Sequence, residues 1–264
     1  MPLSLQSFPT VGEAQSALSA GAARYMGGGT LVVRAANEGD LSFETFVRAT
    51  DRSLREISVA DGTATLGASV TMAEIARHPE LSTIASAARA VGGPAVRNMA
   101  TVGGNLFAPA PYGDFSVALL ALDATVHTGG RELLIEEFLA GRDAFDGIVT
   151  SVRFQLPAAD AFRFAKVSRV KPKGISVLSI AAVIEEAADG TVGAARIALG
   201  CMGDRPMRAT AAEKALVGKT LTEDGIADAV AAIGEGTAPL TDAVASAWYR
   251  GEVLPVHFRR LMLA

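Results

Sequence analysis

Two short glycine-rich runs constrain this 264-residue chain more than any other feature: Gly27-Gly28-Gly29-Thr30, and Gly103-Gly104-Asn105 just after Thr101. Glycine tolerates positive φ at little cost and carries no Cβ, so successive backbone N–H groups can converge on one point. Such a concavity suits a phosphate or diphosphate, and Thr30, Thr101 and Asn105 can add side-chain donors. A single Gly-rich turn is more often only a turn. Two in one domain, each entered from an extended segment, favour a diphosphate.

Around these runs the chain reads as short alternating elements. Thr10 and Glu13 form a capping box for a helix that ends at Gly21. An extended piece over 24–26 enters the first run, and a second element over 31–34 follows it. Residues 54–70 alternate apolar and polar about Asp61-Gly62, which predicts a β-hairpin. Thr71 and Glu74 cap a short helix stopped before Pro79, and a helix over about 81–91 ends at Gly92-Gly93-Pro94. Asp114 is placed to be the N-cap of a helix carrying 117–122. Strands are expected from 125 to 156, with a turn at Gly129-Gly130. Beyond Pro157, strands over 162–168, 176–185 and 192–200 precede helices around 210–217, 223–233 and 256–262. Strands followed by helices suggest an α+β domain, with a boundary near 157–161.

Composition excludes several classes of function. Half the residues are hydrophobic, enough for a real core, and the net charge of −4 with scattered basic residues gives no long-range pull toward nucleic acid or anionic membrane. The single cysteine, Cys201, allows no intrachain disulfide and cannot supply the ligands of an iron–sulfur cluster. It reads as a buried thiol in or after a strand. His78, His127 and His257 are far apart and read as surface or core histidines rather than metal ligands. Any redox cofactor held here is therefore expected to be organic. No signal peptide is visible and the apolar runs are too short to span a bilayer, so a soluble cytoplasmic protein is expected.

Familiar nucleotide fingerprints fail. The first run lacks the third glycine and the later acid of a dinucleotide motif, and Gly218-Lys219-Thr220 imitates a P-loop end while Glu213 stands where glycine is required. Trp248 and Tyr249 read as packing residues, and Asp143 and Asp146 as a polar loop rather than an acid pair.

The GGGT loop, then Arg97-Asn98, then Thr101-Val102-Gly103-Gly104-Asn105-Leu106, then Asp114, together resemble the medium, FAD-binding chain of the xanthine dehydrogenase and carbon monoxide dehydrogenase family. The RN…TVGGN string is highly specific; the GGGT loop alone is weak. The likeness continues through Gly200, Pro206-Met207-Arg208-Ala209, Glu213, Leu216-Val217-Gly218-Lys219 and Tyr249-Arg250, which are similar to that family's C-terminal domain. The resemblance implies an α+β architecture: an FAD-binding domain of the vanillyl-alcohol oxidase (PCMH) type over 1–157, in subdomains of about 1–56 and 57–157, then a CO dehydrogenase flavoprotein-like domain over 161–264.

It also implies roles. Gly27, Gly28, Gly29 and Thr30, with Leu31 beside them, and Thr101, Val102, Gly103, Gly104 and Asn105 would wrap the FAD pyrophosphate. Asp114 would accept a hydrogen bond from a ribose or ribityl hydroxyl, or act only as a helix cap. Val149 would bring its backbone near the flavin ring. Lys166 would lie near the cofactor edge, against the alternative of a solvated surface lysine. Leu31 and Phe107 depart from the family pattern, where smaller or more polar residues are common. The implied assembly is a heterotrimer, or a dimer of heterotrimers, with a small [2Fe-2S] subunit and a large molybdopterin subunit; no residue of this chain need be catalytic. Two other readings stand beside it: a self-contained FAD oxidase or dehydrogenase, and a cofactor-free scaffold.

Overall fold

The computed structural model describes residues 3–170 and 174–264. Strand β1 (Ser4–Phe8) leads into helix α1 (Val11–Ser19). The capping box is present: Thr10 Oγ1 accepts from the Glu13 N–H at 3.2 Å, and the Glu13 carboxylate accepts from the Thr10 N–H at 3.2 Å. Both bonds occupy donors that a first helical turn leaves unpaired. Strand β2 (Ala23–Tyr25), helix α2 (Val32–Asn37) and strand β3 (Thr45–Ala49) follow. The three strands form a parallel sheet in the order β1-β3-β2. Parallel pairing requires crossovers, which α1 and α2 provide. The element expected over 31–34 is thus a helix, and β1 and β3 carry no strong strand signal in the sequence.

A second sheet is antiparallel. Strands β4 (Ile57–Ala60) and β5 (Thr63–Gly67) form the expected hairpin, turning at Asp61 (φ 49°) and Gly62 (φ 73°). Next come α3 (Met72–Arg77), a 3-10 turn over Pro79–Ile84, α4 (Ala85–Ala90), α5 (Pro94–Arg97), α6 (Val102–Leu106) and α7 (Asp114–Ala121). The helix expected over 81–91 is therefore split. Pro79 starts a tight turn that passes into α4 only at Ala85. Strands β6 (Thr125–Thr128) and β7 (Glu132–Leu134), helix α8 (Ile135–Gly141) and strand β8 (Val149–Gln155) complete a five-stranded sheet in the order β4-β5-β8-β6-β7. Helix α8 interrupts a stretch expected to be strand; its buried Ile135, Phe138 and Leu139 carry helical spacing.

The third sheet is built from β9 (Phe162–Ser168), β10 (Ser176–Glu186), β11 (Val192–Gly200) and β12 (Met207–Arg208), all antiparallel in the order β12-β11-β10-β9. Alternate residues of β10 serve two cores. Ala181 and Val183 join the large cluster that includes α7, while Leu178, Ile180, Ala182 and Ile184 pack with α9 (Thr210–Leu216), α10 (Ala227–Ala232) and α11 (Ala247–Met262). Helix α7 lies between α4 and α6 on one side and β10 and β11 on the other, so every residue of DFSVALLA is buried. That explains a helix without a polar face.

Helix α11 starts nine residues before its expected N-terminus at 256, with Pro255 inside it rather than ahead of it. Its buried stripe is Arg250, Leu254, Phe258 and Met262, which turns Trp248 and Tyr249 outward. Trp248 is 72% exposed, so neither is a packing residue.

Candidate functional site

The two glycine runs meet. A Cβ on Gly28 would stand 1.6 Å from the Met99 carbonyl oxygen, and one on Gly27 would stand 3.0 Å from Thr101 Oγ1. A Cβ on Gly104 would meet the same hydroxyl at 3.1 Å. The Thr101 hydroxyl is therefore the junction of both runs, and Gly28 lies flush on the backbone just before it. Gly29 adopts φ 75°, the left-handed region that glycine occupies freely, and its carbonyl accepts the Val33 N–H at 3.1 Å to open α2.

The two runs differ in what their amides do. Among the described residues, the N–H groups of Gly27, Gly28, Gly29, Thr30 and Leu31 donate to no protein acceptor, although all five residues are partly buried. Unpaired amides in such a setting are uncommon. The second run is the reverse. Val102 N–H donates to Val70 O at 2.9 Å, Gly103 N–H to Ala68 O at 2.8 Å, Gly104 N–H to Thr101 Oγ1 at 3.1 Å and Asn105 N–H to Thr101 O at 3.0 Å. Asn105 is buried and turns its side-chain amide to Thr101 O at 3.4 Å. The cradle expected from two converging runs is thus one run of free donors, Gly27 to Leu31, buttressed by a second run whose amides are already engaged. Of the second run only Gly104 is exposed.

Val149 opens β8 beside this buttress. Its neighbour Thr150 accepts the Ala68 N–H at 2.8 Å, and Ala68 O in turn holds Gly103. Leu31 precedes α2 without any side-chain cap, and the Phe107 ring packs edge-on against Phe138 with centroids 5.4 Å apart. Arg34 on α2 donates to the Tyr112 hydroxyl at 2.8 Å, so the segments that follow the two runs also touch.

Asp114 is the first residue of α7, not its cap; Gly113 holds that position at φ 89°. The carboxylate is only 6% exposed and faces the third sheet. Ser176 Oγ donates to Oδ1 at 2.6 Å and Lys166 Nζ to Oδ2 at 2.8 Å. Lys166 also donates to Ala90 O at 2.9 Å, so it is a paired, largely buried lysine rather than a solvated one. Cys201, just past β11 at φ 65°, directs its thiol to Pro111 O and Ser176 O, each at 3.7 Å. Burial, and then the Asp114 charge, push that thiol up to about 12.

Sequence reasoning missed three groups that shape this region, and the structural role of a fourth, Arg97. Ser176 and the Ala90 carbonyl complete the Asp114–Lys166 pair. Arg97 donates to the carbonyls of Arg89, Val91 and Gly92 and so fixes the turn before the second run. Buried Arg142 donates to Ala108 O at 2.9 Å and reaches Asp204 O at 3.5 Å, linking the loop after that run to the connection between β11 and β12. Ser176, the Ala90 carbonyl and Arg142 have no local signal, since their partners lie 34 or more residues away. Asp143 and Asp146 are both exposed, as a polar loop requires.

A row of free amides closed by a glycine pressed on a neighbouring backbone fits the diphosphate of a dinucleotide cofactor. Residues 4–157 match the FAD binding domain in molybdopterin dehydrogenase, and residues 163–264 match the CO dehydrogenase flavoprotein C-terminal domain. Fold and site together define an FAD-binding flavoprotein. The nicotinate dehydrogenase FAD-subunit of Eubacterium barkeri is 30% identical over 228 residues, covering 80% of this chain and 77% of that one. The glyceraldehyde dehydrogenase medium chain of Sulfolobus acidocaldarius is 30% identical over 178 residues, covering 64% and 63%. In fold, carbon monoxide dehydrogenase from Hydrogenophaga pseudoflava superposes with a TM-score of 0.90 at 22% identity, over 99% of this chain and 96% of that one. The chain belongs to the xanthine dehydrogenase and carbon monoxide dehydrogenase family as its FAD-binding subunit, an oxidoreductase component of molybdopterin-dependent enzymes. Among the described residues no helix is long and apolar enough to cross a membrane.

Proposed function

We propose that this chain is the electron-transfer subunit of a molybdenum-containing hydroxylase or dehydrogenase. It receives electrons from a small [2Fe-2S] subunit and passes them to an external acceptor, while a large molybdopterin subunit oxidises the substrate. The assembly is a heterotrimer, single or doubled. In this division of labour residues 1–157 hold the cofactor and 161–264 pack against them, a split supported by the family matches over 4–157 and 163–264.

The observation that carries this reading is the row of unpaired amides from Gly27 to Leu31. In the proposed site those N–H groups and the Thr30 hydroxyl bind the pyrophosphate. Thr101, Val102, Gly103, Gly104 and Asn105 form the opposing wall, where only Gly104 faces outward. Asp114 accepts a cofactor hydroxyl on lone pairs left over from Ser176 and Lys166. The backbone at Val149 borders the ring, and Lys166, held by Asp114 and the Ala90 carbonyl, lies at its edge. When bound, FAD supplies a carrier that accepts and releases electrons singly or in pairs. Names of relatives such as the 6-hydroxypseudooxynicotine dehydrogenase complex subunit alpha and the carbon monoxide dehydrogenase medium chain support a multi-subunit setting.

The test is anaerobic mixing of the FAD-replete chain with its genomic-neighbour iron–sulfur subunit, pre-reduced. Bleaching of flavin absorbance on a millisecond-to-second scale is the expected result. A flavin that stays oxidised, or a lone chain that turns over an organic substrate, overturns the proposal.

A further inference from the structure

Both oxygens of the Asp114 carboxylate are held from the C-terminal sheet, not from the domain that carries Asp114. Ser176 begins β10, is 1% exposed, and donates to Oδ1 at 2.6 Å. Lys166 in β9 donates to Oδ2 at 2.8 Å and is itself anchored on Ala90 O. The Ser176 carbonyl accepts the Cys201 thiol, which also reaches Pro111 O in the loop that leads to Asp114. Ser176 thus holds Asp114 through its hydroxyl and Cys201 through its backbone. A charged hydrogen bond of this length fixes the rotation of a carboxylate; with Lys166 alone the group can pivot about one contact.

We infer that Ser176 is a positioning residue of the cofactor site: it orients Asp114 so that the remaining lone pairs meet a cofactor hydroxyl. The C-terminal domain thereby completes a site that the glycine runs begin. This rests on the cofactor reading given above.

The experiment titrates FAD into the stripped full chain, following quenching of flavin fluorescence and the flavin absorbance spectrum. Ser176→Ala is expected to weaken FAD binding by about tenfold to a hundredfold, the range for losing a hydrogen bond to a charged group. The same substitution made in an Asp114→Ala background is expected to change the affinity less than twofold, because its effect runs through the carboxylate. Ser176→Cys, close in size and a weaker donor, should fall between wild type and Ser176→Ala, and it serves if the alanine variant does not fold. Equal affinity for wild type and Ser176→Ala overturns the inference alone, as does an equal loss in both backgrounds. A wild-type chain that takes up no FAD overturns the cofactor reading and the inference together.

Discussion

Alanine at Gly28 and alanine at Gly104 are chemically the same change at two ends of one junction, yet they should separate folding from cofactor binding. At Gly28 the new methyl would sit 1.6 Å from the Met99 oxygen and 2.5 Å from its carbonyl carbon, where real contacts do not fall under 3.0 Å. The two backbones would have to part by at least 1.4 Å, the difference between 3.0 and 1.6 Å. The Met99 segment cannot yield easily. Ala100 N–H donates to Val96 O at 2.7 Å, and Ala100 O accepts the Met72 N–H at 2.9 Å. Overpacking of this kind costs about 1–3 kcal/mol and each strained hydrogen bond about 1 more, so a loss of roughly 3 kcal/mol is expected. For a chain of this size that lowers the melting temperature by about 6–12 °C. At Gly104 the methyl meets only the Thr101 hydroxyl, at 3.1 Å, on an exposed residue of α6. Helical alanine gains about 0.5–1 kcal/mol over glycine, which offsets a contact relieved by a shift of a few tenths of an ångström. Gly104→Ala should therefore melt within about 2 °C of wild type, while its FAD affinity falls at least about tenfold because the methyl stands in the outward wall of the proposed site. Circular dichroism melts of the stripped chain and a fluorescence titration give both numbers. A Gly28→Ala chain that melts like wild type refutes the packing argument. A Gly104→Ala chain that binds FAD as tightly as wild type refutes the placement of the diphosphate.

Lys166→Met leaves a buried carboxylate without its cation, a loss of about 3–5 kcal/mol that urea unfolding should register; Lys166→Met combined with Asp114→Asn should recover a large part, and failure to recover would mean the pair does not act as a unit. Cys201 should resist Ellman's reagent at pH 8 in the folded chain and react on unfolding; rapid native labelling would contradict its burial. Burial and the Asp114 charge raise the Cys201 thiol to about 12 from an ordinary 9.0, so the folded chain keeps a proton that the unfolded chain releases. That contribution, on the order of 4 kcal/mol, is complete below pH 9 and is lost as pH rises through 12; alkaline denaturation should accordingly be shallower in Cys201→Ala, and equal slopes would disprove the linkage. The chain's single tryptophan, Trp248, is 72% exposed and should emit like solvated indole and be quenched by iodide; a blue, unquenched emission from the isolated chain would show that α11 is packed differently.

Much of the fold was legible because its signals are local. The capping boxes at Thr10 and Thr71, the Asp61-Gly62 hairpin and the long strands after residue 160 each depend on neighbours within a few positions. What escaped depends on distant partners. The five residues of β1 are nearly all exposed and show no apolar alternation; they pair in register with β3, some forty residues on. The helix expected from 256 begins instead at Ala247 and runs through Pro255, on a buried stripe that packs with the third sheet. The site divides in the same way. The glycine runs stand out in sequence, whereas Ser176, Arg142 and the Ala90 carbonyl enter only through contacts that span 34 or more residues.

In the most specific string of the sequence, Thr101 to Asn105, the amides of Val102, Gly103, Gly104 and Asn105 are already occupied. Constraint on that string therefore comes from its fit to the protein as much as from any ligand. Gly103 must lie close enough to Ala68 for its N–H to donate at 2.8 Å, and a Cβ there would press on Ala68 at 3.1 Å. A wall held by four internal hydrogen bonds does not reorganise when a charged group arrives, and preorganised surroundings bind charge more tightly than ones that must first rearrange. The GGGT loop supplies the opposite property: donors with no internal partner, kept from collapsing because Gly28 rests against the Met99 backbone. In the proposed site one run offers hydrogen bonds and the other prevents the first from closing on itself. It follows that Ala68→Val, which crowds Gly103 without touching any free amide, should weaken FAD binding by shifting the wall, and should do so with the amides of Gly27 to Leu31 still unprotected in hydrogen exchange of the stripped chain. Protection of those amides in the stripped wild type would mean that they have protein partners after all, and the division between the two runs would fail.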